Sequence, residues 1–133
     1  MASETVVPIN ADVDVVVARQ RGRELASELG FVPTDSTLIA TAISELARNI
    51  VCYAKHGEIL IKPVQSGDRV GIAVVARDKG PGIANISLAM QDGFTTSGGL
   101  GLGLPGVKRL VDEFHLVSNA NSGTTVTIKK WKR

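Results

Sequence analysis

Five of the chain's fourteen glycines fall within nine consecutive residues, Gly98-Gly99-Leu100-Gly101-Leu102-Gly103-Leu104-Pro105-Gly106. Glycine loses the most conformational entropy on ordering and has no side chain to pack, so such a run does not build a helix or strand interior. Backbone this bare serves where main-chain N–H groups must approach a ligand closely, and anions are the ligands such groups recognise. Two familiar phosphate patterns fit it badly. Gly101 to Gly106 spells G-x-G-x-x-G, but a dinucleotide fingerprint follows a strand and precedes an acidic residue by about 20 positions. Here the polar run Asp92-Gly93-Phe94-Thr95-Thr96-Ser97 comes before it, and only 27 residues come after Gly106. A P-loop needs lysine where Val107 stands, and the next residues, Lys108 and Arg109, offer no hydroxyl for a metal. The remaining reading is a glycine-rich lid that leads into a helix N-terminus.

The rest of the chain reads as one continuous domain spanning residues 1–133, without repeats or linkers. Thr5 to Ile9 suits an opening strand, and Val13, Val16, Val17, Leu25 and Leu29 fall largely at helical spacing from Asp12 to Leu29, before Gly30. Thr34 is expected to cap a second helix with Leu38, Ile39, Ala42, Ile43, Leu46 and Ile50 on one face, closed by Gly57. Glu58 to Val64 and Val70 to Ala76 form a hairpin around the turn residue Gly67. A weak helix near Asn85 to Gln91, the glycine run, and a helix to about Asp112 follow. Strands near Phe114 to Ser118 and Thr124 to Trp131 come last, with Val126, Ile128 and Lys130 alternating against Thr125, Thr127 and Lys129. Helices and hairpins segregate, which predicts an α+β two-layer sandwich: a mixed, mostly antiparallel sheet covered on one face by helices.

Three features carry chemistry. On the second helix Glu45 and Asn49 lie one turn apart, about 40° around the axis, at the flank of the apolar face. The pair is either an ordinary polar helix edge or a carboxylate and an amide oxygen placed to polarise a hydroxyl and ligate magnesium, which prefers oxygen donors. Asp78 ends an apolar strand and opens Asp78-Lys79-Gly80-Pro81-Gly82, either a simple turn or a backbone that lets a ring approach. A carboxylate there accepts a hydrogen bond from an adenine amino group, whereas guanine would present a second acceptor. Cys52 and His56, spaced i and i+4, supply too few ligands for zinc. Cys52 is expected as a small, partly buried hydrophobe and His56 as a residue at the helix C-terminus.

Composition narrows the classes. A formal charge of +2 gives no electrostatic case for nucleic acid, and the basic tail Lys129-Lys130-Trp131-Lys132-Arg133 reads as a solvated chain end. No apolar run reaches membrane-spanning length, Met1-Ala2-Ser3-Glu4 is unlike a signal peptide, and one cysteine forms no internal disulfide, so the expected location is cytoplasmic, without a membrane partner.

The order of these pieces is E-x-x-x-N on a helix, D-x-G-x-G after a strand, a glycine lid before a helix, and Gly123-Thr124 entering the last strand. Over residues 35–130 it resembles the Bergerat ATP-binding fold of gyrase, the Hsp90 chaperone, histidine kinases and MutL. Ile43 to Ile50 and Asp92 to Leu110 are further similar to the RsbT-type switch serine/threonine kinases of the bacterial stressosome. The resemblance implies a free-standing domain that binds ATP and Mg2+ and phosphorylates STAS-domain scaffold and antagonist proteins. It then changes partner to activate a PP2C-type phosphatase. The same resemblance implies Glu45 as catalytic base, Asn49 as metal ligand, and Asp78 with Thr124 as adenine readers. Gly80 and Gly82 would shape the adenine pocket, and Gly99, Gly101 and Gly103 would give lid amides access to the phosphates. Arg48, Lys108 and Arg109 are either further cations at the site or solvated and partner-facing. Two alternatives stay open: an anti-sigma factor kinase, and an ATP-dependent binding module without significant turnover.

Overall fold

β-branched residues in alternation fix the sheet. The computed structural model describes residues 4–80, 103–119 and 122–133. Its elements are β1 (Thr5–Ile9), α1 (Asp12–Glu28), α2 (Pro33–Asn49), a π-helical turn (Ile50–Ala54), β2 (Gly57–Ser66), β3 (Arg69–Asp78), α3 (Gly103–Leu110), β4 (Glu113–Asn119) and β5 (Gly123–Trp131). The strands form one sheet in the order β1-β2-β3-β5-β4. All four pairings among the described residues are antiparallel, so the expected mostly antiparallel sheet is antiparallel throughout that region. β2 and β3 meet at a two-residue turn in which Gly67 takes φ 60°, a conformation glycine adopts without penalty.

Register decides what faces the helices. Ile59 and Ile61 of β2, Val74 and Ala76 of β3, and Val126 and Ile128 of β5 point to one side and are buried against α1 and α2, with Val7 and Ile9 of β1. Lys130 continues that inward row, as the alternation predicts, and is buried. The start of β5 is locked to the end of β3, with Asp78 opposite Thr124. The far end of β5 is tied down by Asp112, which accepts from the Trp131 N–H at 2.8 Å and from the Arg133 guanidinium. Trp131 Nε1 donates to Glu113 at 2.7 Å, and Arg69 stacks 4.3 Å above the Trp131 ring. The tail read as solvated is therefore largely structural.

Three local expectations change. Val13, Val16 and Val17 are exposed, and the buried face of α1 is Val15, Ala18, Gly22, Leu25 and Ala26. The reason is close helix packing: a β-carbon at Gly22 would collide with Ile43 Cδ1 of α2, so small residues mark the contact stripe better than large ones. The first turn of α1 is held by Asp14, whose carboxylate accepts from Asn10 N and Ala11 N. Helix α2 starts at Pro33 after the extended Val32, so Thr34 lies inside the helix and the fixed φ of proline sets its start. Gly57 does not close that helix. The α-helix passes into the π-helical turn, Lys55 at φ 72° ends it, and Gly57 opens β2. The helix expected near Asn85 to Gln91 lies outside the described residues.

Candidate active site

Helix α2 is apolar on most of its surface because it lies between the sheet, α1 and α3, so every residue from Ala42 to Ala47 is buried. Among them is Glu45, at 0% exposure. Its Oε1 accepts from Arg48 Nη1 at 3.1 Å, one turn along. Its Oε2 is buried with no hydrogen-bond partner among the described residues, and so is Oδ1 of Asn49. Leaving a buried polar atom unsatisfied costs about 1–3 kcal/mol, more for a charged group. Two such oxygens, four residues apart on one helix, mark a place where the fold withholds internal partners. Both are hard oxygen donors, the type that suits magnesium, so the residues present fit that ion.

After Asn49 the backbone widens into the π-helical turn, a form that recurs at functional sites. Ala54 of that turn packs against Gly80, where a β-carbon would lie 2.6 Å from the Ala54 Cβ. The room gained by omitting a side chain at Gly80 is thus taken by the protein's own helix end. Asp78, half-buried at the end of β3, accepts through Oδ1 from Gly80 N at 2.9 Å and Thr124 N at 3.3 Å. Both of these bonds go to the same carboxylate oxygen. Thr124 Oγ1 lies 2.9 Å from Ser118 Oγ on β4, so a short polar chain runs from the Asp78 carboxylate to the sheet edge.

Two glycines overlooked as site residues hold Asp78 in place. Gly57 pairs with it across β2 and β3, and a β-carbon there would sit 2.8 Å from Ile50 Cγ2. Gly123, at φ 99°, passes so close that a β-carbon would overlap the Asp78 carbonyl oxygen. Neither contact is visible without the strand register, and neither is the hydroxyl pair of Ser118 and Thr124. The structure therefore brings Glu45 together with Asn49, and Asp78 with Gly80 and Thr124. Gly103, at φ 61° and buried, begins α3, which packs on α2. Gly82, Gly99 and Gly101 lie outside the described residues. Cys52 is exposed, against the expectation of partial burial. His56 lies beyond the helix, its Nδ1 2.9 Å from Asn10 Oδ1. Among the described residues no helix is long and apolar enough to cross a membrane.

Residues 34–133 match the family described as histidine kinase-, DNA gyrase B-, and HSP90-like ATPase, and the chain belongs to this family. As a member of it, the chain is an ATP-binding α+β protein. It is 53% identical, over all 133 residues and the whole of both chains, to the serine/threonine-protein kinase RsbT of Bacillus subtilis (strain 168). Its activity is that of a protein serine/threonine kinase. Identity to an anti-sigma F factor of Thermoanaerobacter sp. (strain X514) is 35% over 99 residues, covering 70% of this chain and 68% of the relative. A crystal structure of the RsbU and RsbW domains of a Mycobacterium tuberculosis protein aligns with TM-score 0.59 at 25% identity. The alignment covers 97% of this chain and 33% of that one.

Proposed function

We propose that residues 1–133 form one kinase domain that uses Mg-ATP to phosphorylate serine or threonine on STAS-domain proteins of a stressosome in the cytoplasm, and then binds and activates a PP2C-type phosphatase. The observation that carries the chemical part is the pair of unpartnered buried oxygens, Glu45 Oε2 and Asn49 Oδ1, on one turn of α2. Arg48 holds the other oxygen of Glu45 and fixes its carboxylate plane. Oε2 of Glu45 takes the proton of the acceptor hydroxyl as its oxygen bonds to the γ-phosphorus and the bond to the bridging oxygen breaks, releasing ADP. Asn49 Oδ1 is the magnesium ligand; the bound ion supplies neutralisation of the phosphate charge. Asp78 Oδ2 accepts from the adenine amino group while the Gly80 and Thr124 amides hold Oδ1. Gly80 and Gly82 form the turn beside the ring. Gly99, Gly101 and Gly103 bring backbone N–H groups to the phosphates at the start of α3, where the helix dipole favours negative charge.

Full-length similarity to RsbT supports the STAS substrates and the phosphatase partner. Incubation with labelled ATP, magnesium and a purified STAS-domain protein is expected to label serine or threonine on that protein. No label, from a preparation that binds ATP, would remove the substrate assignment. The match to anti-sigma F factors favours a second reading, in which the chain also retains a sigma factor. Mass spectrometry of copurifying proteins with and without Mg-ATP separates the two by whether the captured partner is a sigma factor or a phosphatase.

A further inference from the structure

Lys130 stands in the apolar inward row of β5 after Val126 and Ile128, is 7% exposed, and nothing in the proposed chemistry uses it. Its Nζ donates to the Leu110 carbonyl at 3.2 Å, and no carboxylate is among its described partners. Leu110 is the last residue of α3, so this lysine caps the helix whose first residue, Gly103, lies within the glycine-rich run. The eight residues of α3 span only about 12 Å. Leu104 and Val107 sink the helix into the core against α2, but apolar contacts are non-directional and set depth better than position along the axis. Two directional contacts described there lie at the C-terminal end: Lys130 to Leu110, and Asp112 N to the Lys129 carbonyl at 3.0 Å.

We infer that Lys130 is a positioning residue for the polyphosphate of ATP: by holding the C-terminus of α3 it fixes where the N-terminal amides of that helix stand, 27 residues away in sequence and at the opposite helix end. The inference rests on the reading that the start of α3 receives the phosphates. Its cation also sits against the negative end of the helix dipole, which leaves the positive end free to act on the phosphates. Burying an amino group among apolar side chains is not how stability is gained, since well-packed apolar replacements of buried charged groups are often neutral or stabilising. A contribution to binding gives it a reason to be there.

Calorimetry with ATP, ADP and adenosine on wild type, Lys130→Met, Lys130→Arg and Gly103→Ala, with a thermal melt of each, tests this. Lys130→Met is expected to melt no lower than wild type and bind adenosine unchanged. Its loss of ATP affinity is expected to be on the order of tenfold, the equivalent of about one hydrogen bond to the phosphates. Lys130→Arg, which keeps a donor and a charge, should recover most of that loss. Wild-type ATP affinity in Lys130→Met, or equal losses for ATP and adenosine, overturns the inference, the latter because it reports only a loosened fold. Should Lys130→Met not fold, Lys130→Gln replaces it, with the same split between ATP and adenosine expected at smaller size and the same two outcomes counting against. Gly103→Ala separates the premises. If it leaves ATP affinity untouched, the phosphate reading of the α3 N-terminus fails. If it lowers ATP affinity while Lys130→Met does not, only the role of Lys130 is lost.

Discussion

Replacing Asp78 by asparagine exchanges one carboxylate oxygen for an NH2 group, and the structure says which way the new amide must lie. Gly80 N and Thr124 N both donate to Oδ1, so the amide oxygen has to occupy that place. The flipped orientation would set an NH2 group against two N–H donors and forfeit both bonds. Nδ2 is therefore forced into the position of Oδ2, where it faces the adenine amino group as donor against donor. Loss of a hydrogen bond to a charged acceptor costs about 1.5–3 kcal/mol, which corresponds to roughly 10- to 150-fold in Kd. The fold should survive, because both backbone bonds are retained; the melting temperature is expected within a few degrees of wild type. Guanine offers a carbonyl oxygen where adenine offers an amino group, so the same Nδ2 gains a partner and the preference for ATP over GTP narrows by at least the factor lost. Isothermal titration with ATP, ADP and GTP measures the affinity loss and the change in preference, and a thermal melt checks the fold. A folded Asp78→Asn protein with unchanged ATP affinity, or with equal losses for ATP and GTP, refutes adenine recognition by this carboxylate.

Glu45→Gln keeps the shape of the side chain and an oxygen for Arg48, so ATP affinity should hold while single-turnover phosphoryl transfer slows by roughly 10²–10⁴-fold; transfer at the wild-type rate ends its role as base. Asn49→Ala should weaken ATP binding in the presence of magnesium and leave ADP binding in a chelator unchanged, which titration in the two buffers reads directly. Arg48→Met deprives a fully buried carboxylate of its described partner and is expected to lower unfolding free energy by about 1–3 kcal/mol in urea, with an unaltered urea midpoint counting against the pairing. Gly123→Ala combines a forbidden φ with overlap on the Asp78 carbonyl, a cost of about 2–5 kcal/mol that urea denaturation should report even without nucleotide.

Strand alternation and turn glycines made the sheet legible: β1 appears with the expected limits, and the inward row of β5, Lys130 included, follows from period two alone. Helix α1 was misread because hydrophobicity was taken for burial. Val13, Val16 and Val17 are apolar and exposed, while the contact with α2 is made by Ala18 and Gly22, whose small size matters more than their transfer free energy. Among candidate site residues, Glu45 and Asn49 were legible because helical geometry relates positions four apart without any tertiary knowledge. The fixation of Asp78 was not, since it depends on Gly57, Gly123 and Ser118 meeting through strand register, and register is a property of the assembled sheet. The π-helical turn after Asn49 has no composition signal either, and its Ala54 packs against Gly80.

β5 comes last of the five strands in chain order, yet it lies between β3 and β4. During synthesis, α2 and the β2–β3 hairpin emerge with Glu45 and Asn49 in place, long before Thr124, 46 positions beyond Asp78, can dock beside it. Until it docks, β3 from Gly71 to Asp78 offers one open edge with apolar Val74 and Ala76 among its residues, a template on which another chain can pair. The Asp78–Thr124 pairing is long-range, and such pairings close slowly because loop closure precedes their reward. On the proposed reading, a half-made chain of this kind carries Glu45 and Asn49 but lacks the strand that flanks Asp78, so the order of synthesis itself withholds nucleotide binding until β5 is inserted.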